Sequence, residues 1–292
     1  MSTHVLTAQS RRKGNMQALV LKRLLRSTLY ITLAVIAFIW IVPFVWMLKT
    51  SISPGVGIFS PELDLVPKAL TSDNFAQVFR LVPVARLGLN STIISVGTTA
   101  VVIIVSSLAG YALSRPGMPF ATPILFFFLA AIMIPGEAVL IPTFIAVRDF
   151  GLLNSYWGII LPMATDAFVI YIFERFFSQI PQEIVDAATV DGASDLDIFL
   201  RIVVPMSTPV LAAMTTLVFI GAYDAFLWPL VVVNDRTMMP LTLGLFYFET
   251  EQIRNYEYVI AYSALLTAPI LIIFLAGQKF FIKGLQLGAL KG

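Results

Sequence analysis

The 292-residue sequence contains no cysteine and a single histidine, His4. The first absence excludes disulfides, thiolate metal sites and cysteine nucleophiles. The second excludes a Ser-His-Asp triad and any histidine-rich metal site. Charge is also scarce: only 12% of residues are Asp, Glu, Lys or Arg, and the formal net charge is +2. So small a positive balance gives no electrostatic basis for binding nucleic acid. No G-x-x-x-x-G-K-[ST] string occurs, so the chain carries no Walker-type phosphate loop of its own.

What is present is apolar bulk. Hydrophobic residues make up 58% of the chain, and its mean hydropathy is +0.89. A soluble domain of this length cannot hide that much apolar surface. Runs long enough to cross a bilayer, which takes roughly 20 residues, fall at Leu29–Leu48, Ser91–Leu113, Pro123–Ile145, Trp157–Phe177, Pro209–Val233 and Tyr258–Phe281. The expected fold class is an all-α membrane protein with six transmembrane helices.

Arg11, Arg12, Lys13, Lys22, Arg23 and Arg26 precede the first run, and no A-x-A-like site follows it. It reads as a signal anchor rather than a cleavable peptide. The tail that carries His4 is expected to be unstructured. With the N-terminus inside, the inner segments hold twelve Lys and Arg and the outer loops seven, so the positive-inside rule puts both termini in the cytoplasm. Two outer loops are long enough to meet a partner. Lys49 to Leu89 holds Pro54, Gly55, Gly57, Pro61 and Pro67 and reads as irregular; Asn234 to Glu257 holds Asp235, Arg236, Glu249, Glu251 and Arg254.

Between the fourth and fifth runs lies a polar island, Ser178 to Pro209. Pro181 suits a helix N1 position, with Gln182 and Glu183 in the first turn, where an acidic group favours the dipole. Ile184, Ala187 and Ala188 share one face at i, i+3, i+4. Gly192 is the usual residue for a left-handed helix end. Ser194-x-x-Asp197 then has the spacing of a capping box, with aspartate in the usual glutamate place. Leu196, Phe199, Leu200 and Val203 form the next apolar face. The island is thus helix, glycine hinge, helix. Periodicity leaves two surfaces open to bury its stripes, the chain's own bundle or a partner.

Glu137, Asp166 and Asp224 fall inside the third, fourth and fifth runs. A charge at the bilayer centre costs about 2.5–3.5 kcal/mol on insertion scales, so each must face the bundle, a partner or water. Tyr223, Phe226 and Trp228 cluster near Asp224, between Gly221 and Pro229. Aromatic faces beside a carboxylate suit a sugar, whose C–H faces stack on rings while its hydroxyls need polar partners. Ordinary helix packing and an interfacial tryptophan belt account for the same residues.

The run PQEIVDAATVDGASDLDIFLRIVVPMSTP closely resembles the EAA loop of binding-protein-dependent ABC importer permeases. The resemblance is carried by Asp186-Ala187-Ala188, Asp191-Gly192-Ala193-Ser194 and Ile202-x-x-Pro205, with Asp186 where glutamate is usual. Ile134-Pro135, Leu140-Ile141-Pro142, Gly151-Leu152-Leu153-Asn154, Phe226-Leu227-Trp228-Pro229-Leu230 and Pro240-Leu241-Thr242 look like the carbohydrate branch of that family. The ending from Lys283-Gly284 to Lys291-Gly292 is similar to the tail of six-span permeases of maltose-type importers. Trp-Asn is common in the family where Tyr223-Asp224 stand here.

The resemblance implies a type I ABC importer fold with a cytoplasmic coupling loop at 178–209. It divides the chain into a basic tail (1–28), a first helix with its outer loop (29–89), the transmembrane domain (90–278) and a cytoplasmic tail (279–292). It implies a second permease, a dimer of separate ATPase subunits that bind ATP and Mg, an extracytoplasmic solute-binding protein, and residence in the bacterial inner membrane. No cofactor, metal or catalytic residue is expected on this chain. Coupling to the ATPase would fall to Glu183, Asp186, Ala187, Ala188, Asp191, Gly192, Ala193 and Phe199, with Lys283, Gly284 and Lys291 as a second contact. Tyr223, Asp224, Phe226 and Trp228 are the candidate solute pathway. The expected function is translocation of a sugar or sugar-like solute. An ion-coupled secondary transporter is the alternative, favoured by inverted repeats and paired intramembrane carboxylates, and no clear repeat is visible. An intramembrane enzyme would have few catalytic groups to draw on.

Overall fold

A computed structural model describes the backbone of residues 2–54, 69–249 and 256–289, and the side chains of 22–54, 69–248 and 256–278. The described residues are helical, without strands. Helix α1 runs Ser2–Ser51, so the expectation of an unstructured N-terminal tail is corrected. The tail is built mostly of helix-tolerant residues, and Gly14 alone costs only about 1 kcal/mol. Within α1, the most apolar 18-residue window of Lys22–Ser51 has a mean hydropathy of 2.5 and no buried residue.

Two units divide the chain: Met1–Phe75 with Asn255–Ala261, and Ala76–Arg254 with Tyr262–Gly292. In the first, α1 ends in a polar knot. The Asn74 amide, at the start of α2 (Asp73–Leu81), donates to the carbonyls of Ser51 at 3.0 Å and Ser53 at 2.9 Å. The outer loop is therefore not irregular throughout, although Gly55, Gly57, Pro61 and Pro67 lie outside the described residues.

The second unit is built around α3 (Val84–Leu113), which starts before the expected Ser91. Its buried stripe includes Asn90, Ser91, Ser95, Thr98, Thr99, Ser106, Ser107 and Gly110. Small residues let neighbouring helices approach closely where lipid gives no hydrophobic drive to associate. The neighbours are α7 (Ala167–Phe177) and α11 (Thr208–Tyr223). A close approach to α7 falls at Gly110, where a Cβ would lie 2.8 Å from Cβ of Phe173 and 2.9 Å from the Glu174 nitrogen.

Three spans expected to be continuous are broken. The third is α4 (Ala121–Ile132) and, after a 3-10 turn at Gly136–Val139, α5 (Leu140–Asp149), bent by 93°. Pro135 at the bend has no N–H to continue the α4 ladder. The fourth is α6 (Tyr156–Ile160), extended by a 3-10 turn, and α7, bent by 49°. Asp166 sits at that break and caps α7, accepting from the N–H of Phe168 at 2.8 Å and of Val169 at 3.2 Å. The fifth splits into α11 and α12 (Leu227–Val232). Pro229 cannot donate to the Ala225 carbonyl, and the Thr242 hydroxyl does so instead at 2.8 Å. Irregular backbone at membrane depth requires such substitutes.

The remaining helices are α8 (Gln182–Val190), α9 (Asp195–Ile198), α10 (Val204–Met206), α13 (Phe246–Glu249) and α14 (Tyr256–Ala289). By length and composition the described residues hold three continuous span candidates, and up to six if each bent pair counts as one, the third such pair being Asp195–Met206 with α11, bent by 82°.

Candidate functional site

The 178–209 segment is the most regular polar feature of the chain. Pro181 takes the N-cap of α8 rather than the expected N1, so Gln182 is the first helical residue. At the other end the Gly192 N–H donates to the Thr189 carbonyl and the Ala193 N–H to the Ala188 carbonyl, both at 3.0 Å. Gly192 itself has φ +84°. That pattern is a Schellman motif, which satisfies two orphan carbonyls and reverses the chain within one residue. Ser194 then caps α9: its hydroxyl accepts from the Asp197 N–H at 3.2 Å and donates to the Asp197 carboxylate at 2.5 Å. Arg201 stands 3.3 Å from the same carboxylate. The Ser194 hydroxyl foremost, and Arg201 after it, hold the Asp197 carboxyl below its ordinary value. A π-helical turn, Phe199–Val203, leads on to α10.

Each expected apolar stripe is shared between two surfaces. Val185, Ile198, Phe199 and Val203 are buried in one core with Val102 and Tyr111 of α3, Val169, Phe173 and Phe177 of α7, and Val210, Ala213 and Met214 of α11; Ala188 and Ala193 pack against it. Ile184, Ala187, Val190, Leu196 and Leu200 point away and are exposed, Val190 to 87%. Glu183, Asp186, Asp191 and Asp195 are exposed on the same segment. Asp186 accepts from the Gln182 amide one turn earlier, at 2.8 Å. The outward face is thus an apolar patch with an acidic rim. A patch of this kind on a soluble surface marks an interaction site.

Phe199 faces inward, in a tilted ring pair with Tyr111 at 5.1 Å. The Arg115 guanidinium lies 4.2 Å from the centre of the Tyr111 ring. No sequence signal marks Tyr111, because its partners Asp195 and Phe199 lie more than eighty residues away.

The four candidate pathway residues do not form one surface. Tyr223 is buried and stacks on Phe219 at 6.0 Å. Trp228 is half-buried and its indole donates to the Gly158 carbonyl at 3.2 Å. Asp224, the C-cap of α11, is exposed, and so is Phe226, which stacks on Phe246 at 6.0 Å. Glu137 is exposed in its 3-10 turn. Lys283 and Gly284 fall in α14; Glu251, Arg254 and Lys291 lie outside the described residues.

At the end of the bundle opposite the segment, Asn90 is a hub. Its amide donates to the carbonyls of Thr237 at 3.0 Å and Met239 at 2.8 Å, and its oxygen accepts from the Tyr156 hydroxyl at 2.8 Å. Asn154, at φ 54°, accepts from the N–H of Asn234 at 2.7 Å and of Asp235 at 2.9 Å. These bonds pin the 234–241 loop to α3 and to the turn before α6. Among the described residues there is no group of three or more His, Cys, Asp and Glu side chains that could hold a metal.

Comparison with known proteins agrees with this geometry. Residues 103–285 match the family model described as binding-protein-dependent transport system inner membrane component. The chain is 33% identical over 272 residues to the arabinooligosaccharides transport system permease protein AraQ of Halalkalibacterium halodurans, covering 90% of this chain and 96% of that one. It is 32% identical over 262 residues to the lactose transport system permease protein LacG of Rhizobium radiobacter, covering 90% and 95%. In fold it is similar to a chain from a bacterial ABC transporter involved in the import of the acidic polysaccharide alginate, with TM-score 0.78, 24% identity and coverage of 89% and 97%.

Proposed function

We propose a transport role on the premise that this chain belongs to the family of binding-protein-dependent transport system inner membrane components. It is a multi-pass permease subunit of an ATP-binding-cassette importer and catalyses no reaction of its own. ATP and Mg are bound by separate ATPase subunits, a second permease completes the pathway, and an extracytoplasmic protein delivers the solute. The solute is a saccharide or sugar-like molecule, in keeping with relatives named for arabinooligosaccharides and lactose. Both termini and the 178–209 segment face the cytoplasm, as the Lys and Arg distribution favours. The units of function are the tail 1–28, the first helix and outer loop 29–89, the transmembrane domain 90–278 and the tail 279–292.

The observation that carries this reading is the outward patch of Ile184, Ala187, Val190, Leu196 and Leu200. Small and mid-sized apolar groups on two short helices fit a cleft, and the acidic rim of Glu183, Asp186 and Asp191 suits a basic border on the partner. The inward residues then give the movement a route. Val185, Ile198, Phe199 and Val203 share one core with α3, α7 and α11, and packed cores shift between discrete arrangements rather than deform continuously. A push on the patch is delivered to three spans together. Gly192 and Ala193 keep α8 and α9 at a set angle, and Lys283, Gly284 and Lys291 form a second contact with the ATPase. Along the solute path, Asp224 and Phe226 offer the contacts, with Tyr223 and Trp228 supporting them.

Co-expression with the cognate ATPase tests this. Replacing Val190 and Leu196 together by aspartate is expected to abolish ATPase copurification while the permease still inserts. Full retention of the ATPase, or uptake that survives ATP depletion and stops when the ion gradient collapses, overturns the reading.

A further inference from the structure

We propose that the cavity beside Glu174 takes the head group of a primary-amine phospholipid of the phosphatidylethanolamine type. The cavity, about 230 Å³, lies where α3 ends, α4 begins and α7 ends. The Glu174 side chain reaches into it, yet the residue is only 9% exposed. One carboxylate oxygen, Oε1, accepts from the Ser178 hydroxyl at 3.0 Å. The other, Oε2, is buried without a hydrogen-bond partner. Its nearest cation is Arg175 Nε at 3.7 Å, beyond hydrogen-bonding distance. A buried carboxylate oxygen without a donor is costly, the more so beside a membrane.

The cavity itself describes what would supply that donor. It is smaller than the 300–1,000 Å³ typical of sites for whole drug-sized ligands, so it suits a head group. Glu174 lines the cavity with a carboxylate that lacks one of its donors, and a cation with N–H groups, such as a primary ammonium, complements it. Arg175, whose side chain is 61% exposed, stands at the same cavity and offers a phosphate a charge-assisted donor. Thr122 adds a neutral polar residue to the lining. Leu125, Phe126 and Leu129 form the apolar wall on α4, a helix without buried residues, and continue the site toward acyl chains. Anion, cation and hydrocarbon therefore line one cavity, the three kinds of group that a zwitterionic lipid needs. A choline head group has methyls where the N–H donors are needed, and a glycerol head group has no cation.

Placement in the inner leaflet rests on the orientation proposed above; head-group selectivity does not. The test uses the assembled transporter in nanodiscs of mixed phosphatidylethanolamine, phosphatidylcholine and phosphatidylglycerol, with retained lipid counted by native mass spectrometry. About tenfold preferential retention of phosphatidylethanolamine over phosphatidylcholine is expected, the effect of one charged hydrogen bond. Glu174→Gln is expected to abolish the preference and Arg175→Met to reduce it. Equal retention of all three lipids overturns the proposal, as does a preference unchanged in Glu174→Gln. It is also overturned if water-soluble phosphoethanolamine alone fills the site. Loss of subunit association in Glu174→Gln without any retained lipid overturns it too, because a basic side chain of another subunit then fills the cavity. In sealed vesicles, labelling of the retained amine by an impermeant reagent from the outside would reverse the orientation and leave the selectivity standing.

Discussion

The hydroxyl of Tyr111 donates a 3.3 Å hydrogen bond to the backbone carbonyl of Asp195. Tyr111 lies near the end of the buried stripe of α3, and Asp195 opens the second helix of the polar segment. The bond and the Phe199 ring together fasten the segment to the helix at the centre of the bundle, and the Arg115 guanidinium lies over the same Tyr111 ring.

Tyr111→Phe keeps the ring and removes the bond. It is expected to lower stability by about 0.5–1.5 kcal/mol, the net worth of a hydrogen bond, while uptake per ATP hydrolysed stays close to wild type. Tyr111→Ala also removes the ring and is expected to lower that ratio severalfold at equal membrane levels. The two are separated by thermal unfolding in detergent and by stoichiometry in proteoliposomes. A wild-type ratio in Tyr111→Ala would show that the ring transmits nothing.

Gly192 needs its backbone rather than its size. No atom would meet a Cβ there, but its φ of +84° strains any L side chain. Gly192→Val is expected to cost about 1–2 kcal/mol locally and to uncouple ATP hydrolysis from uptake without preventing insertion. Gly192→Asn, which tolerates the left-handed region, should keep most uptake. Equal uptake in both variants would count against the hinge.

The restart of the segment at α9 should be sensitive to acid. The Asp197 carboxyl is held below the usual 3.8, first by the Ser194 hydroxyl and then by Arg201. A depressed carboxylate contributes stability above its unfolded pKa, and that contribution is lost as pH falls through the lower folded value. Amide protection of residues 195–199 is therefore expected to be flat from pH 8 to about 5 and to fall only below about pH 4. Ser194→Ala should move the onset upward, toward the ordinary carboxylate range. Hydrogen exchange with mass spectrometry reads this directly, and protection lost near neutral pH would contradict it.

Asn90→Leu leaves the Met239 carbonyl and the Tyr156 hydroxyl without their Asn90 partner, while the Thr237 carbonyl keeps the Arg86 Nε–H at 3.0 Å. Each buried group left unsatisfied costs about 1–3 kcal/mol. The variant is expected to unfold at a clearly lower temperature and to expose the 234–241 loop to protease. Asn154→Ala should loosen the same loop with a smaller loss, because the N–H groups of Asn234 and Asp235 lie in exposed bonds and can turn to water. An unchanged melting temperature in Asn90→Leu would refute the hub.

Several of these relationships were legible in the residue order. The Schellman end at Gly192 and the cap at Ser194 could be read there because the donors and acceptors lie within five residues of one another. The existence of apolar spans was equally plain, since length and hydropathy need no partner. The breaks were harder to see. Pro135 and Pro229 signal a missing N–H, but whether a helix bends or finds a substitute donor depends on residues such as Thr242, seventeen positions from the carbonyl it satisfies. Asp166 likewise read as a charge inside a span until the break made it a cap.

By itself the sequence determined that this chain lives in a membrane, carries no thiol or histidine chemistry, and interrupts its spans with a capped helix pair. These follow from composition and from interactions between near neighbours. The tertiary structure decided which side of that pair is buried. Periodicity placed Ile184 with Ala188 and Leu196 with Phe199, yet the bundle covers Ala188 and Phe199 and leaves Ile184 and Leu196 outside. It also brought Tyr111 to Asp195 and left one oxygen of Glu174 without a donor. Burial and hydrogen bonding between distant segments depend on where three-dimensional packing closes, and no local spacing encodes that.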